Sequence, residues 1–310
     1  MMQTCRVLYQ AGIPLLLHRV DLHLDWCSSP NDLSQMLNSF SLFISADPTR
    51  RSLLVRELSI AIEQRRNIDS QSIRTFAQVL KQFHNLIALS VSDVEYWFSL
   101  LDSSFEDAVC ALPNLCAVNF NSPNDDLEIN MTATARVLNR LASPVRLLDL
   151  ECPSPSAQDL FGILRNLAPT LEYLTIRNLT LTSNDIVFPR LKAVALHGIA
   201  GEDVSESIPP LIASAPNLRT LELFDHGYQS IEEARENNIL AQQQRQSWPM
   251  LDNVTGPLHS LYALGLQCRA RAVRIQYFGM EDVESYRQMQ CVLQDMRPST
   301  LSMFGGPISH

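Results

Sequence analysis

The chain has 310 residues, 46% hydrophobic and 18% charged, a globular composition well away from that of disordered chains. It is long enough to bury a core without disulfides or metals. Its formal net charge of −9 repels phosphate backbones, which argues against a nucleic-acid partner.

The apolar patch Ile13–Leu17 is short, contains Pro14 and runs straight into His18 and Arg19. It reads neither as a secretory leader nor as a membrane span, so no membrane partner is expected. His18 and His23 follow on a segment that reads as extended. They would point to opposite faces, which argues against shared metal ligation.

The first match to an L-x-x-L-x-L pattern, with Val, Ile or Phe allowed, is Val55/Leu58/Ile60. Ile73, Phe76, Leu80 and Phe83 then share one face at helical spacing. Further matches are Leu86/Leu89/Val91, Leu115/Val118/Phe120 and Val145/Leu148/Leu150. A second helical stripe, Leu160, Ile163, Leu164 and Leu167, stands behind Ser156-x-x-Asp159, which resembles a capping signal. The pattern continues at Leu171/Leu174/Ile176, Leu191/Val194/Leu196 and Leu218/Leu221/Leu223.

The polar stretch Gln229 to Gln246 reads as an inserted helix or a loop. Leu261/Leu264/Leu266 gives an eighth match. It lies too close to Val273-Arg274-Ile275 for both to belong to full repeats, so one is expected to be irregular or part of a hairpin. Val283, Tyr286, Met289 and Leu293 form a third stripe ending near Pro298, and Leu301-Ser302-Met303 reads as a last strand.

Proline stands two residues before the first apolar position in four of the eight matches (Pro113, Pro169, Pro189, Pro216); seventeen prolines in 310 residues predict fewer than one. Proline suits a helix-to-strand junction. Strand, loop, helix and turn recurring in this way predict an α/β leucine-rich-repeat solenoid. Such a solenoid is a curved horseshoe, with parallel strands on the concave face and helices on the convex face. The expected organisation is an N-terminal cap over 1–30 and a repeat domain over 31–310, with a polar insertion near 229–257.

No P-loop, G-x-G-x-x-G, H-E-x-x-H or G-x-S-x-G motif occurs, so no catalytic, cofactor or metal site is expected. Asp225-His226 beside Glu222 is the nearest thing to a polar cluster, and no nucleophile is tied to it. Seven cysteines without a CxxC pair argue against a zinc ribbon or disulfide framework and for a reducing, intracellular compartment, cytoplasmic or nuclear.

In such a repeat the residues between the inward leucines face the concave surface. The richest stretch supplies Asp149, Glu151, Tyr173, Thr175, Arg177, His197, Glu222 and Phe224, which are the candidate partner-binding residues. The earlier repeats place small residues there, such as Ala88 and Ala117, and offer less to grip.

Cys5-Arg6-Val7-Leu8 followed by Ile13–Leu17 resembles the tail of an F-box domain passing into its repeats. Phe43-Ile44-Ser45-Ala46-Asp47-Pro48-Thr49-Arg50, then Leu53–Ile60, is similar to the lead-in of fungal F-box-like leucine-rich-repeat proteins. The resemblance covers nearly the whole chain loosely, with the F-box truncated to a remnant of its last helix, about Met1 to Leu17, or absent. It implies the substrate-receptor part of a cullin-type ubiquitin ligase, with a Skp-type adaptor and a substrate protein as partners. The alternatives are a degenerate repeat protein without a ligase role and an α/β enzyme of another architecture.

Overall fold

The computed structural model describes residues 12–24, 30–62, 69–99, 103–121, 132–156, 160–179, 186–197, 210–224, 231–244, 247–276 and 283–304. The strands are β1 (Arg19–Leu24), β2 (Glu57–Ile62), β3 (Ala88–Ser92), β4 (Ala117–Asn121), β5 (Leu147–Ser156), β6 (Tyr173–Leu179), β7 (Ala193–His197), β8 (Thr220–Phe224), β9 (Met250–Pro257), β10 (Arg269–Gln276) and β11 (Thr300–Phe304). They form one open eleven-stranded sheet in chain order. Neighbouring strands pair in parallel.

Parallel neighbours require a crossover, and a helix is described in every one except that between β6 and β7. The helices are α1 (12–18), α2 (Pro30–Ser45), α3 (Pro48–Arg51), α4 (Ser70–Leu80), α5 (Val94–Ser99), α6 (Ser104–Cys110), α7 (Thr132–Arg140), α8 (Leu160–Ile163), α9 (210–214), α10 (Ile231–Gln244), α11 (Leu258–Leu264) and α12 (Val283–Met296). The chain divides into two compact units, residues 1–149 and 150–310.

In the first unit one register line runs Val20, Leu58, Leu89, Val118, and all four side chains are buried. These are the middle positions of the repeat pattern, preceded by β1, on the segment read as extended but not counted among the repeats. Leu17-x-x-Val20-x-Leu22 fits the same pattern, with His18 closing helix α1 rather than lying on a strand.

Each strand is tied to the one before by a shared acceptor. The Arg56 carbonyl accepts from the Ile87 and Ala88 amides, and the Ile87 carbonyl from those of Cys116 and Ala117. An asparagine ahead of the strand adds a second tie: Asn85 donates to the Leu53 carbonyl at 2.9 Å and Asn114 to that of His84 at 2.7 Å.

The core of this unit is aromatic. Phe105 on α6 packs against Trp97 (ring centroids 4.9 Å), Phe98 (5.8 Å) and Phe76 (6.2 Å). The helices are joined by carboxylates. Buried Glu95 accepts from the Ala133 and Thr134 amides at 3.2 and 2.8 Å, capping the otherwise unpaired start of α7. Buried Glu106 receives Arg136 at 2.7 Å and Arg140 at 2.5 Å from α7. The Arg136 hydrogen bond, with help from Arg140, holds its carboxyl below the usual carboxylate range against the opposing cost of burial.

The second unit repeats the scheme. Its register line runs Leu174, Val194, Leu221, Val254, Val273, Leu301. The carbonyls of Glu172, Lys192 and Arg219 are its shared acceptors, and Asn217 donates to the Pro189 carbonyl at 2.9 Å. Here the buried strand positions are aliphatic, Phe188, Trp248 and Tyr262 are buried around them, and the helical layer carries buried amides. The Asn238 amide donates to the Ala263 carbonyl. The Gln242 amide donates to the Asn238, Leu264 and Gly265 carbonyls, and its oxygen accepts from the Gln267 amide. These bonds satisfy orphan carbonyls at the end of α11.

Three expectations are corrected. Leu261 and Leu264 lie on a helix, α11, and not on a strand; an i, i+3 leucine pair suits both. The strand is β9, inside the expected insertion, with core positions Leu251, Val254 and Gly256. Glycine hides it from the pattern. A Cβ at Gly256 would stand 3.0 Å from the Leu223 Cβ and 3.4 Å from Leu261, so α11 fills the space a third leucine would take.

The stripe on α12 is the second correction. Its buried residues are Gln288, Val292 and Met296, whereas Val283 and Tyr286 are exposed. Finally, the Leu160–Leu167 stripe is split between the short α8 and a 3-10 turn, Arg165–Leu167. The Asp159 half of its capping signal lies outside the described residues.

Candidate functional site

Strand side chains alternate, so burying one set leaves the other on the open face of the sheet. All eight candidate residues are of this second set. Asp149 ends the first unit and is half-buried; the other seven belong to the second unit.

Three rows cross the second unit. Tyr173, 48% exposed, lines up with Ala193, Thr220 and Asn253. Thr175 lines up with Ala195, Glu222 and Thr255. Arg177, His197 and Phe224 form the third row.

The third row is the most built. Arg177 reaches Glu151 at 3.9 Å, and the His197 ring stacks on Phe224 with centroids 3.9 Å apart and planes 6° from parallel. A flat imidazole–phenyl pair beside an ion pair offers an apolar shelf with a charged end. Asp225 and His226 lie outside the described residues.

The first unit carries a feature the sequence reading passed over. Its open face holds a cleft of about 300 Å³. Small side chains, Ser59, Ala88, Ser90 and Ala117, leave the space, and buried Leu58, Leu89 and Val118 lie beneath. Arg19, Asp21 and Glu57 border it at β1 and β2, and Asn119 and Leu147 at the other end. The alternating small residues were legible, but among larger neighbours they make a cavity and not a bare surface.

The polar groups of the cleft follow the register. Asp21, Ser59, Ser90 and Asn119 form one row, and Arg19, Glu57, Ala88 and Ala117 the next. Arg19 pairs with Asp21 at 3.3 Å. Glu57, Ser59, Ser90 and Asn119 have no side-chain hydrogen-bond or ion-pair partner among the described residues.

Elsewhere, burial pushes the Cys110 and Cys268 thiols up to about 11, which leaves them protonated and poor nucleophiles at neutral pH. Among the described residues no group of three or more His, Cys, Asp or Glu side chains is placed to hold a metal ion. Among them no helix is long and apolar enough to cross a membrane. No protein-family model matches the chain, and no curated protein matches it.

Proposed function

We propose that the chain is a leucine-rich-repeat interaction module whose open sheet face docks a protein partner. The observation that carries this reading is the register of the strands. One set of strand positions is apolar and buried along the repeat line, while the alternate set varies in size and charge and is left uncovered. Packing dictates the first set and leaves the second open to specify a partner. The Tyr173 and Arg177–His197–Phe224 rows supply aromatic and guanidinium side chains of the kind that anchor protein interfaces.

The resemblance to F-box-like proteins makes this module the substrate-receptor part of a cullin-type ligase in the cytosol or nucleus. Helix α1 supports an adaptor contact: Ile13 and Leu17 are buried, whereas Leu15 and Leu16 are 81% and 74% exposed. Cys5-Arg6-Val7-Leu8, the other part of the F-box-like tail, lies outside the described residues.

Affinity capture from the native lysate tests the reading. A Skp-type adaptor and a cullin should co-purify and should be lost with Leu15→Asp/Leu16→Asp. Other proteins recovered without them would leave a free-standing interaction module. An empty capture would favour the degenerate repeat protein. Small-angle scattering tests the architecture: an elongated, curved particle is expected, and a compact one contradicts the solenoid.

A further inference from the structure

We infer that the cleft on the first unit is a recognition site for an extended peptide segment bearing a lysine or arginine. The inference rests on the reading of the open sheet face as a docking surface, and it names the partner chemistry at a place that reading does not use.

Charge decides the class of side chain. Arg19, Asp21 and Glu57 border the cleft, and the Arg19 guanidinium is already engaged by Asp21 at 3.3 Å. Glu57 is left as a carboxylate without an ion-pair partner among the described residues, half-buried at the edge of the cavity. A cation entering beside it forms a charge-assisted hydrogen bond, stronger than a neutral one. An acidic side chain would instead meet Glu57 and displace Arg19 from its pair. The net charge of −9 attracts a cationic partner at longer range.

The floor suits the rest of such a residue. Ala88 and Ala117 make a shallow apolar channel in the Glu57 row, ending against Leu147, which is 43% exposed. A lysine or arginine stem packs along such a channel while its head meets the carboxylate. In the neighbouring row Ser59, Ser90 and Asn119 present side-chain donors and acceptors that no group among the described residues uses. These match the backbone amides and carbonyls of an unfolded segment.

Dimensions favour a peptide over a small amine. The cleft runs from β1 across β4 to Leu147. Four strand spacings of about 4.8 Å make about 19 Å, the length of about six extended residues.

A random heptapeptide library displayed on phage and selected on the full chain tests the proposal. The expected binders carry a lysine or arginine at one fixed position with small or apolar neighbours. A synthetic peptide of the leading sequence should lose about tenfold in affinity with Glu57→Gln. It should lose all measurable binding with Ala117→Phe, which fills the channel, and bind Tyr173→Ala unchanged. Glu57 and Ala117 are half-exposed, so both variants should unfold at the wild-type temperature, as circular dichroism would verify.

Binders without a fixed basic residue, binders rich in acidic residues, or no binders would each overturn the proposal. So would binding indifferent to both Glu57→Gln and Ala117→Phe. Peptides lost with Tyr173→Ala alone would overturn this site yet leave the general docking reading standing. That reading is tested separately, by the lysate capture.

Discussion

The two units use one strand scheme, bury large rings in both, and differ in the bulk they place on the open face. The first keeps its large rings inside, around Phe105, and lines its open face with Ser59, Ala88, Ser90 and Ala117. The second has aliphatic strand positions inside and places Tyr173, Arg177, His197 and Phe224 on the open face. The helices differ too. Carboxylate–arginine pairs and a capping glutamate join α5, α6 and α7; in the second unit the Arg235–Asp295 pair joins α10 to α12, and buried amides satisfy the end of α11. The repeat thus fixes where the backbone goes and which positions are inward, and leaves the filling of each layer free.

Breaking the aromatic core should cost most. Phe105→Ala removes a ring in contact with three others and should destabilise the chain by about 3–5 kcal/mol in urea unfolding. A loss under about 1 kcal/mol would mean that the rings are not the keystone of the first unit.

Gly256→Leu restores the repeat pattern in sequence and should nonetheless destabilise. Its side chain would meet Leu223 and Leu261, at a cost of about 1–3 kcal/mol from overpacking. A neutral or stabilising result would refute the account of why glycine stands there.

Gln242→Met keeps the side-chain length but strands the Gln267 backbone amide and the Leu264 carbonyl, and leaves the Gly265 carbonyl only the bond from the Gln267 side chain at 3.3 Å. The expected loss is about 1–3 kcal/mol, with faster amide exchange around the end of α11.

Glu106→Gln sharpens the contrast through pH. The folded carboxyl titrates below its ordinary value of about 4.5, so its stabilisation is complete above that pH and is lost as the pH falls through the lower, folded value. The wild type should therefore lose more stability than Glu106→Gln between neutral and acid pH. Parallel unfolding curves across that range would contradict the network.

Asn114→Ala and Asn217→Ala take the same tie from each unit and should cost about 1 kcal/mol apiece. Unequal effects would show that the shared scheme is weaker in one unit.

Much of the strand order was legible in the sequence because apolar spacing reports burial directly: Leu58, Leu89 and Val118 fall on the register line of the first unit, and Leu174, Val194 and Leu221 on that of the second. The pattern failed where a helix supplies the packing atoms. Gly256 takes a strand position that Leu261 fills from α11, and Leu261/Leu264 mimic the strand signal because three-residue spacing serves both structures. The stripe on α12 failed at the end of the chain, where Gln288 is buried and Val283 is not.

The open-face rows were legible from alternation, and their residues stand where it puts them. The cleft was not, because a cavity depends on how tall the neighbours of Ala88 and Ala117 are, a lateral relation between residues about thirty positions apart.

The most direct test of the open face as the working surface is quantitative capture of partners by three forms of the full chain. These are the wild type, an open-face variant carrying Ala117→Phe, Tyr173→Ala and Arg177→Ala, and a helix-side variant carrying Arg287→Ala. The open-face variant should lose the proteins that the wild type captures, and the helix-side variant should keep them. Retention by the open-face variant, or loss only in the helix-side one, would contradict the open face as the working surface.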